Sequence, residues 1–229
     1  MMIKLIFTTA VFLFLGGSVS AGDQKVHSCS KISDEKKQAS CWKAEYEKAD
    51  KELNKVYKSL QTSLASAKAE EMKKDSRVWI DHKEALCSGQ SGMSNDSKAV
   101  YYECLQSITS NRTRFLKEAF GGEGTDNKIE GSYSDSLGGS LTIQKASKNY
   151  KFTLEVVRGV TTHTGEVSGE IALKNNAAMY EEKEKDGNEP CKISFKFSDR
   201  KVIVDEIECS SYHGASAYFG GTYYKVRKR

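Results

Sequence analysis

The hydrophobic pattern of this chain changes once, after Gly121, and that change limits the folds open to it. Before it, apolar residues recur at three- and four-residue steps, the period of amphipathic helices. After it, short segments alternate apolar and polar residues, as strands do. The glycine-rich residues at the change are typical of a flexible linker. We therefore predict an α+β protein with a helical unit over residues 22–120, a linker over 121–128 and an antiparallel β-unit over 129–229.

The N-terminal residues have the pattern of a secretory signal peptide. Lys4 precedes an apolar run from Leu5 to Leu15, and Val19-Ser20-Ala21 resembles a cleavage site, so we expect residues 1–21 to be removed. The apolar run is too short to span a bilayer and no longer one follows, so we expect no membrane anchor after cleavage. Six cysteines in an exported chain favour disulfides and a periplasmic or secreted location.

The helical unit is expected to contain three helices. The predicted bounds are about Asp34 to Ser66, about Met72 to Cys87, and about Asp96 to Gly121. Ser33 is the expected N-cap of the first helix. The sequence Ser88-Gly89-Gln90-Ser91-Gly92 is expected to end the second. Short connections between three such helices predict an antiparallel up-down-up bundle.

Four cysteines lie in the helical unit, and the sequence alone permits three pairings. If the second helix runs back along the first, Cys87 lies near the start of the first helix, and Cys104 lies at the same end. This arrangement favours Cys29 with Cys87 and Cys41 with Cys104. Each bridge would contribute about 2–4 kcal/mol, which matters because a small core buries little apolar surface.

Three ordered sequence blocks give this unit a family resemblance. The blocks contain Ala49-Asp50, Leu53-Asn54 and Tyr57; then Arg77, Trp79-Ile80 and Cys87; then Cys104-Leu105, Ile108-Thr109, Arg112-Thr113 and Leu116. Together they resemble the LprI family of exported lysozyme-inhibitor-like domains, over nearly all of Cys29 to Leu116. The resemblance implies export and binding of a lysozyme. One departure is His82-Lys83, where the family usually has Tyr-Arg, and a lysine cannot replace a bidentate arginine.

The motif residues are of two kinds. Those expected in the core are Leu53, Trp79, Ile80 and Leu105. Those that would be polar on an otherwise apolar seam, and would therefore need partners, are Asp50, Asn54, Arg77 and Arg112. One interpretation is a buried network between the first and third helices, for example Asp50 with Arg112; the other is a polar patch that contacts a ligand. Tyr57 and Thr113 complete the motif.

Eight strands are predicted in the second unit, separated by turn residues. The predicted strands are Ile129 to Ser134, Ser140 to Lys145, Tyr150 to Arg158, Gly165 to Leu173, Ala177 to Glu182, Lys192 to Phe197, Val202 to Glu208 and Tyr218 to Val226. Short, regularly spaced strands favour a meander closed as a barrel. Gly131-Ser132-Tyr133 and Gly221-Thr222-Tyr223 are alike, which suggests that the first and last strands pair.

One hairpin of this unit has a predicted register. If Asp199, Arg200 and Lys201 form its turn, Phe197 faces Ile203, Ile193 faces Ile207 and Cys191 faces Cys209. The two cysteines would then lie on one face within bonding distance. We predict a disulfide between Cys191 and Cys209.

The sequence favours a binding protein over an enzyme. All six cysteines are expected to be paired, and the chain lacks G-x-S-x-G, P-loop and H-E-x-x-H motifs. No cofactor is implied, and His163 and His213 lack an evident third ligand for a metal. The 35 basic and 31 acidic residues are mixed along the chain, without the basic stripe that nucleic-acid binding needs.

Two loops are the candidate contact surfaces, because loops carry function more often than strands do. The first runs from Cys87 to Asn95 at the disulfide end of the bundle; its candidate partner-binding residues are Ser88, Gln90, Ser91 and Asn95. The second follows the last disulfide and offers Tyr212 and His213. A rigid loop of this kind could enter the cleft between the two catalytic carboxylates of a lysozyme.

The partner suggested by the resemblance is a lysozyme or another cell-wall-active protein. Because many animal lysozymes are basic, a chain with a net charge of only +4 would receive little electrostatic steering towards them. The alternative function is an envelope binding module whose barrel holds a cell-wall fragment or small ligand. A barrel interior filled by bulky side chains would count against that alternative, and an open mouth lined by tyrosines would favour it.

Overall fold

The computed structural model describes residues 28–91, 97–122, 128–159, 161–182 and 190–227. Its helices are α1 (Glu35–Ser63), α2 (Ser66–Ser91) and α3 (Ser97–Ala119). Its strands are β1 (Gly131–Ser134), β2 (Gly139–Ala146), β3 (Asn149–Arg158), β4 (His163–Ile171), β5 (Ala177–Glu181), β6 (Lys192–Ser198), β7 (Lys201–Ile207) and β8 (Gly221–Val226). The α+β class and the eight strands are confirmed. Within the described ranges, none of the helices could cross a membrane by length and hydropathy. The expected signal peptide and most of the expected linker lie outside those ranges.

The N-cap of the first helix lies one residue later than predicted. Asp34 is the N-cap, and its side chain accepts a hydrogen bond from the backbone N–H of Lys37 at 2.9 Å, so the assignment of Ser33 was wrong. A carboxylate here also faces the positive end of the helix dipole. The helix ends at Ser63 because Leu64 is extended, and Ser66, expected to be its last residue, begins α2.

The second helix is longer than predicted at both ends, since it begins at Ser66 and not at Met72, and continues through Gly89 to Ser91. A single glycine costs a helix interior only about 1 kcal/mol relative to alanine. The last turns of α2 are also tied to α3 by a disulfide at Cys87. The expected loop from Cys87 is therefore helical as far as Ser91, and residues 92–96 lie outside the described ranges.

The third helix lies between the other two. Both α1 and α2 pack along α3, whereas α1 and α2 barely contact each other. The predicted disulfide pairing was wrong for this reason: Cys87 faces α3 and bonds Cys104, with Cα atoms 5.6 Å apart. Cys29 instead bonds Cys41 across the entry to α1, with Cα atoms 5.7 Å apart.

The strands form one antiparallel sheet that nearly closes into a barrel. Its order is β4-β3-β2-β1-β8-β7-β6-β5. The first and last strands pair as predicted, with Ser132 opposite Val226. The remaining gap lies between β4 and β5, where a Cβ at Gly169 would overlap the ring of Tyr180. A small residue on β4 therefore lets an aromatic ring from β5 cover the gap.

The barrel interior is filled by large side chains. The buried aromatic residues that line it are Tyr133, Phe152, Phe195, Phe197, Phe219 and Tyr223. Phe152 and Phe195 are in contact, with ring centroids 4.9 Å apart. Because bulky side chains fill the interior, the barrel core counts against storage of a ligand there.

The hairpin of β6 and β7 has a different register from the predicted one. Phe197 pairs with Val202, and Ser198 with Lys201, so the turn has two residues, not three. Asp199 adopts a left-handed φ of 46° in that turn. Because the register moves by one residue, Ile203 and Ile207 point outwards and are exposed.

The disulfide between Cys191 and Cys209 is confirmed despite that change in register. The last ladder pair joins Lys192 to Ile207, so the chain advances two residues on β7 for one on β6 before the cysteines meet. Glu208, with a φ of 59°, is the extra residue. Its left-handed backbone turns Cys209 back to the core side, as a bulge does.

The helices and the barrel share part of one core. Tyr224 of β8 is buried among helical residues, with its ring centroid 5.8 Å from that of Phe115 and 4.9 Å from that of Phe120. Val226 also packs against this cluster. The last strand of the barrel therefore completes the core of the helical unit.

Candidate functional site

A buried arginine of α3 joins the helices to the barrel. The guanidinium of Arg112 donates to Asp75 at 2.5 Å and to Ser76 at 2.9 Å, both on α2. It also donates to the hydroxyl of Ser136, in the β1–β2 loop, at 2.6 Å. The prediction that Asp50 is the partner of Arg112 was wrong, because Asp50 accepts a hydrogen bond from Asn54 on its own helix instead. A buried network does exist, but α2 supplies its acid.

This ion pair is costly to bury. The side chain of Arg112 is 1% exposed and that of Asp75 is 15% exposed. Burial raises the pKa of the Asp75 carboxyl, and the opposing effect of Arg112 does not cancel it. The guanidinium also lies 5.4 Å from the Trp79 ring and 5.0 Å from the Phe115 ring. Such pairs fix a register more than they add stability.

A second buried ion pair lies where the β1–β2 loop meets the end of β3. Asp135 contacts Arg158 at 2.5 Å, and both side chains are under 5% exposed. The same carboxylate accepts the backbone N–H groups of Leu137 and Gly139, each at 2.8 Å. Burial opposes the charge of Arg158, but Asp135 outweighs burial and raises the pKa of the guanidinium.

The β1–β2 loop connects the two ion pairs, because Asp135 and Ser136 are adjacent and each contacts a different arginine. Gly138 in this loop has a φ of 102°, and a Cβ there would overlap the carbonyl oxygen of Val157. The loop therefore requires glycine at this position. Through its contacts with the two arginines, the β1–β2 loop fixes the orientation of the helices relative to the barrel.

Beside this loop, a groove of about 690 Å³ runs between α2, α3 and the first three strands. Its apolar lining is Leu86, Ile108, Phe115, Leu137, Leu141, Val157 and Val226. Its ionisable lining is His82, Arg112, Arg114, Glu118 and Arg227. Hydroxyl groups of β1 and β2 complete the walls. We call this the interdomain groove.

The first predicted contact surface lies at the end of α2. Ser88 is exposed, Gln90 and Ser91 belong to the last turn of the helix, and Asn95 lies outside the described ranges. The disulfide between Cys87 and Cys104 ties the end of α2 to the first turns of α3 across a sequence separation of 17. We call the end of the bundle around this disulfide the disulfide pole.

The second predicted surface is less exposed than expected. Tyr212 ends a short 3₁₀ helix, Ser210–Tyr212, and packs against the barrel core. His213 bridges to Gly165 of β4, and its Nε2 lies 3.5 Å from a carboxylate oxygen of Glu206. These contacts hold a turn against the barrel. Among the described residues, no group of three or more His, Cys, Asp or Glu could hold a metal.

The remaining motif residues have structural positions. Those that are buried or packed against the core are Leu53, Tyr57, Trp79, Leu105 and Thr113. Asn54 and Arg77 are exposed. Ile80, expected in the core, is 49% exposed, because its position on α2 faces away from α3. The polar motif residues therefore do not converge on one patch.

Sequence reasoning missed the acids and the loop that connect the two units, although some signals were present. On β3, Arg158 continues the inward-facing series of Phe152, Leu154 and Val156. A charged residue in such a series predicts a buried partner. Asp135 likewise follows the inward Tyr133 by two residues. Which acid meets which arginine depends on tertiary structure.

We expect His82 to make the stability of the protein sensitive to mild acid. Burial lowers its pKa from an ordinary value of 6.5, and the charge of Arg158 acts in the same direction. The unfolded chain thus binds a proton more readily than the folded one, so this contribution to stability is complete above about pH 6.5 and is lost as the pH falls towards the folded value. We expect His82→Asn to flatten the dependence of the free energy of unfolding on pH below about 6.5, measured by urea titration. An unchanged slope of the free energy of unfolding against pH would contradict this role. The free energy of unfolding of both proteins at pH 8 is the reference.

Comparison with known proteins bears on the helical segment. Residues 29–116 match the family model described as Lysozyme inhibitor LprI. The match covers less than half of the chain and ends before the first strand. No curated protein and no solved structure gave a significant match. Residues 29–116, with α1, α2 and α3, are thus an LprI-type segment, and the barrel that follows them is assigned to no family.

Proposed function

We propose that this protein is exported and inhibits a lysozyme by binding it and blocking its cleft. The observation that carries the proposal is the family match of the whole helical segment. The three disulfides support an extracytoplasmic location, because such bonds persist in oxidising compartments. The protein acts by binding and not by catalysis, in keeping with an inhibitor family.

The disulfide pole is the surface that we propose to contact the enzyme. Its bond between Cys87 and Cys104 holds the end of α2 against the start of α3. A segment that a disulfide restrains loses less conformational entropy on binding than a free one does. A lysozyme cleft carries two catalytic carboxylates on either side of the scissile bond, so a rigid protrusion that enters the cleft would exclude the glycan.

The alternative, a barrel that stores a cell-wall fragment, is supported less well. Phe195, Phe219 and Tyr223 are fully buried in the barrel interior and occupy the space that a ligand would need. Tyr212, which an open mouth would expose, packs against the core instead. We therefore propose the inhibitor function as the primary one.

Turnover of cell-wall substrate by c-type, g-type and i-type lysozymes, with and without the oxidised protein, tests the proposal. We expect stoichiometric loss of activity for one of these classes. Retention of full activity by all three, with the protein shown to be folded by circular dichroism, would refute it. The intact chain must be used, because Tyr224 of the barrel belongs to the helical core.

Removing the disulfide of the pole should weaken inhibition selectively. We expect Cys87→Ser/Cys104→Ser to raise the inhibition constant at least about tenfold, because the segment would then lose more conformational entropy on binding. The matched control is Cys191→Ser/Cys209→Ser, whose bond has a sequence separation of 18 against 17 and should cost a similar stability. Equal inhibition by both variants would contradict the assignment to the disulfide pole.

A further inference from the structure

The interdomain groove is large enough to hold a ligand. Its volume of about 690 Å³ falls within the range of small-molecule sites, about 300–1,000 Å³. One wall comes from α2 and α3, and the other from β1, β2 and β3. The hydrogen bond from Arg112 of α3 to Ser136 of the β1–β2 loop joins these walls, so the groove is formed before any ligand binds.

The charges that line the groove are mainly positive. Arg114 and Arg227 are exposed at its rim, and Glu118 is the one acid among its described lining residues. The backbone N–H of Arg227 donates to the Glu118 carboxylate at 3.3 Å. Among the described residues the side chain of Arg114 donates only to Asn111. A guanidinium has five N–H donors, so Arg114 retains capacity for an acceptor.

A buried hydrogen-bond donor in the same wall also favours a ligand that carries acceptors. Arg112 is 1% exposed and lines the groove, and its Nε–H has no hydrogen-bond partner among the described residues. Groups of this kind are normally paired. The wall of the groove thus combines positive charge with unmet donor capacity.

We propose that the interdomain groove binds the acidic stem peptide of a cell-wall fragment. The apolar side chains of Leu86, Ile108 and Val157 suit the alkyl groups of such a peptide. Its carboxylates suit Arg114 and Arg227, since guanidinium and carboxylate form bidentate, charge-assisted hydrogen bonds. The choice of a cell-wall peptide rests on the proposed function, which places the protein where lysozyme substrates occur.

Titration calorimetry with purified disaccharide-tetrapeptide tests the proposal without any lysozyme. We expect the disaccharide-tetrapeptide to bind. Chitotetraose, and the same fragment with amidated carboxylates, should bind at least about tenfold more weakly, because each would lack a charge-assisted contact. The free tetrapeptide should bind about as well as the whole fragment. Equal binding of chitotetraose would show recognition of sugar and overturn the proposal, as would no binding of the fragment.

Two charge reversals locate the site. Arg114→Glu and Arg227→Glu should each weaken binding of the fragment at least about tenfold, whereas Lys58→Glu, an exposed position on α1, should change it less than about twofold. Arg227 lies past the last strand, so its replacement keeps the test valid if Arg114→Glu fails to fold. Unchanged affinity in Arg227→Glu would place the ligand elsewhere. Because no enzyme is present, failure here leaves the lysozyme assay to decide the inhibitor proposal separately.

Discussion

Replacing Asp135 by alanine is expected to destabilise the protein by about 3–5 kcal/mol, because Arg158 would remain buried without its counter-charge. The carboxylate also satisfies the backbone N–H groups of Leu137 and Gly139, which would lose their acceptor. For a chain of this size the loss corresponds to a fall in Tm of about 6–20 °C. Thermal unfolding followed by circular dichroism measures it.

A double replacement separates the charge from the packing. Asp135→Leu/Arg158→Met removes both charges, and we expect it to recover much of the stability lost in Asp135→Ala, since buried ion pairs are often replaceable by apolar residues. The surface control is Glu170→Ala, because Glu170 lies 3.9 Å from Lys151 and both are exposed; its effect should stay below about 1 kcal/mol. If Asp135→Ala matched Glu170→Ala, the buried pair would have no special role.

Replacing Tyr224 by alanine is expected to cost about 3–5 kcal/mol, the usual cost of removing a buried aromatic ring. Its ring packs against Phe115 and Phe120, and its hydroxyl donates to Glu71 of α2 at 3.1 Å. Because this strand residue belongs to the helical core, we expect the helices and the barrel to lose stability together. Urea unfolding should show one transition that moves to lower denaturant.

Hydrogen exchange identifies where the stability is lost. In Tyr224→Ala, amides of α3 and of β8 should lose protection in parallel. Ile207→Ala is the matched control, because Ile207 is a strand residue with 55% of its side chain exposed; it should leave both sets nearly unchanged. Loss of protection confined to the barrel would show instead that the two units unfold independently.

The order and type of the secondary structure followed from the sequence because the periodicity was strong. The strands, α1 and α3 lie within about three residues of their predicted positions, whereas α2 begins at Ser66 and not at the predicted Met72. Asp34 and Ser33 are both good caps, and Gly89 can either end a helix or lie within it, so local sequence does not choose. The choice at Gly89 was made by the contact of Cys87 with α3.

The site was predictable in composition but not in arrangement. Arg112 was recognised as a polar residue that needed a partner, but Asp75 was not identified as that partner. The error came from placing α2 against α1, when α2 packs on the far side of α3. The same misplacement explains the wrong pairing of Cys87. One mistake about helix packing therefore produced both corrections.

The sequence by itself determined the features that depend on near neighbours in the chain, namely the helical and strand periods and the disulfide between Cys191 and Cys209. It also indicated the pairing of the first and last strands, through their similar motifs. Only the tertiary structure decided which helix lies between the others, which acid neutralises Arg112, and that Tyr224 completes the helical core. The physical reason is that periodicity shows which face of an element is buried. It does not show which of several apolar faces will cover it, because hydrophobic attraction is non-directional and that choice depends on the fit of the whole core.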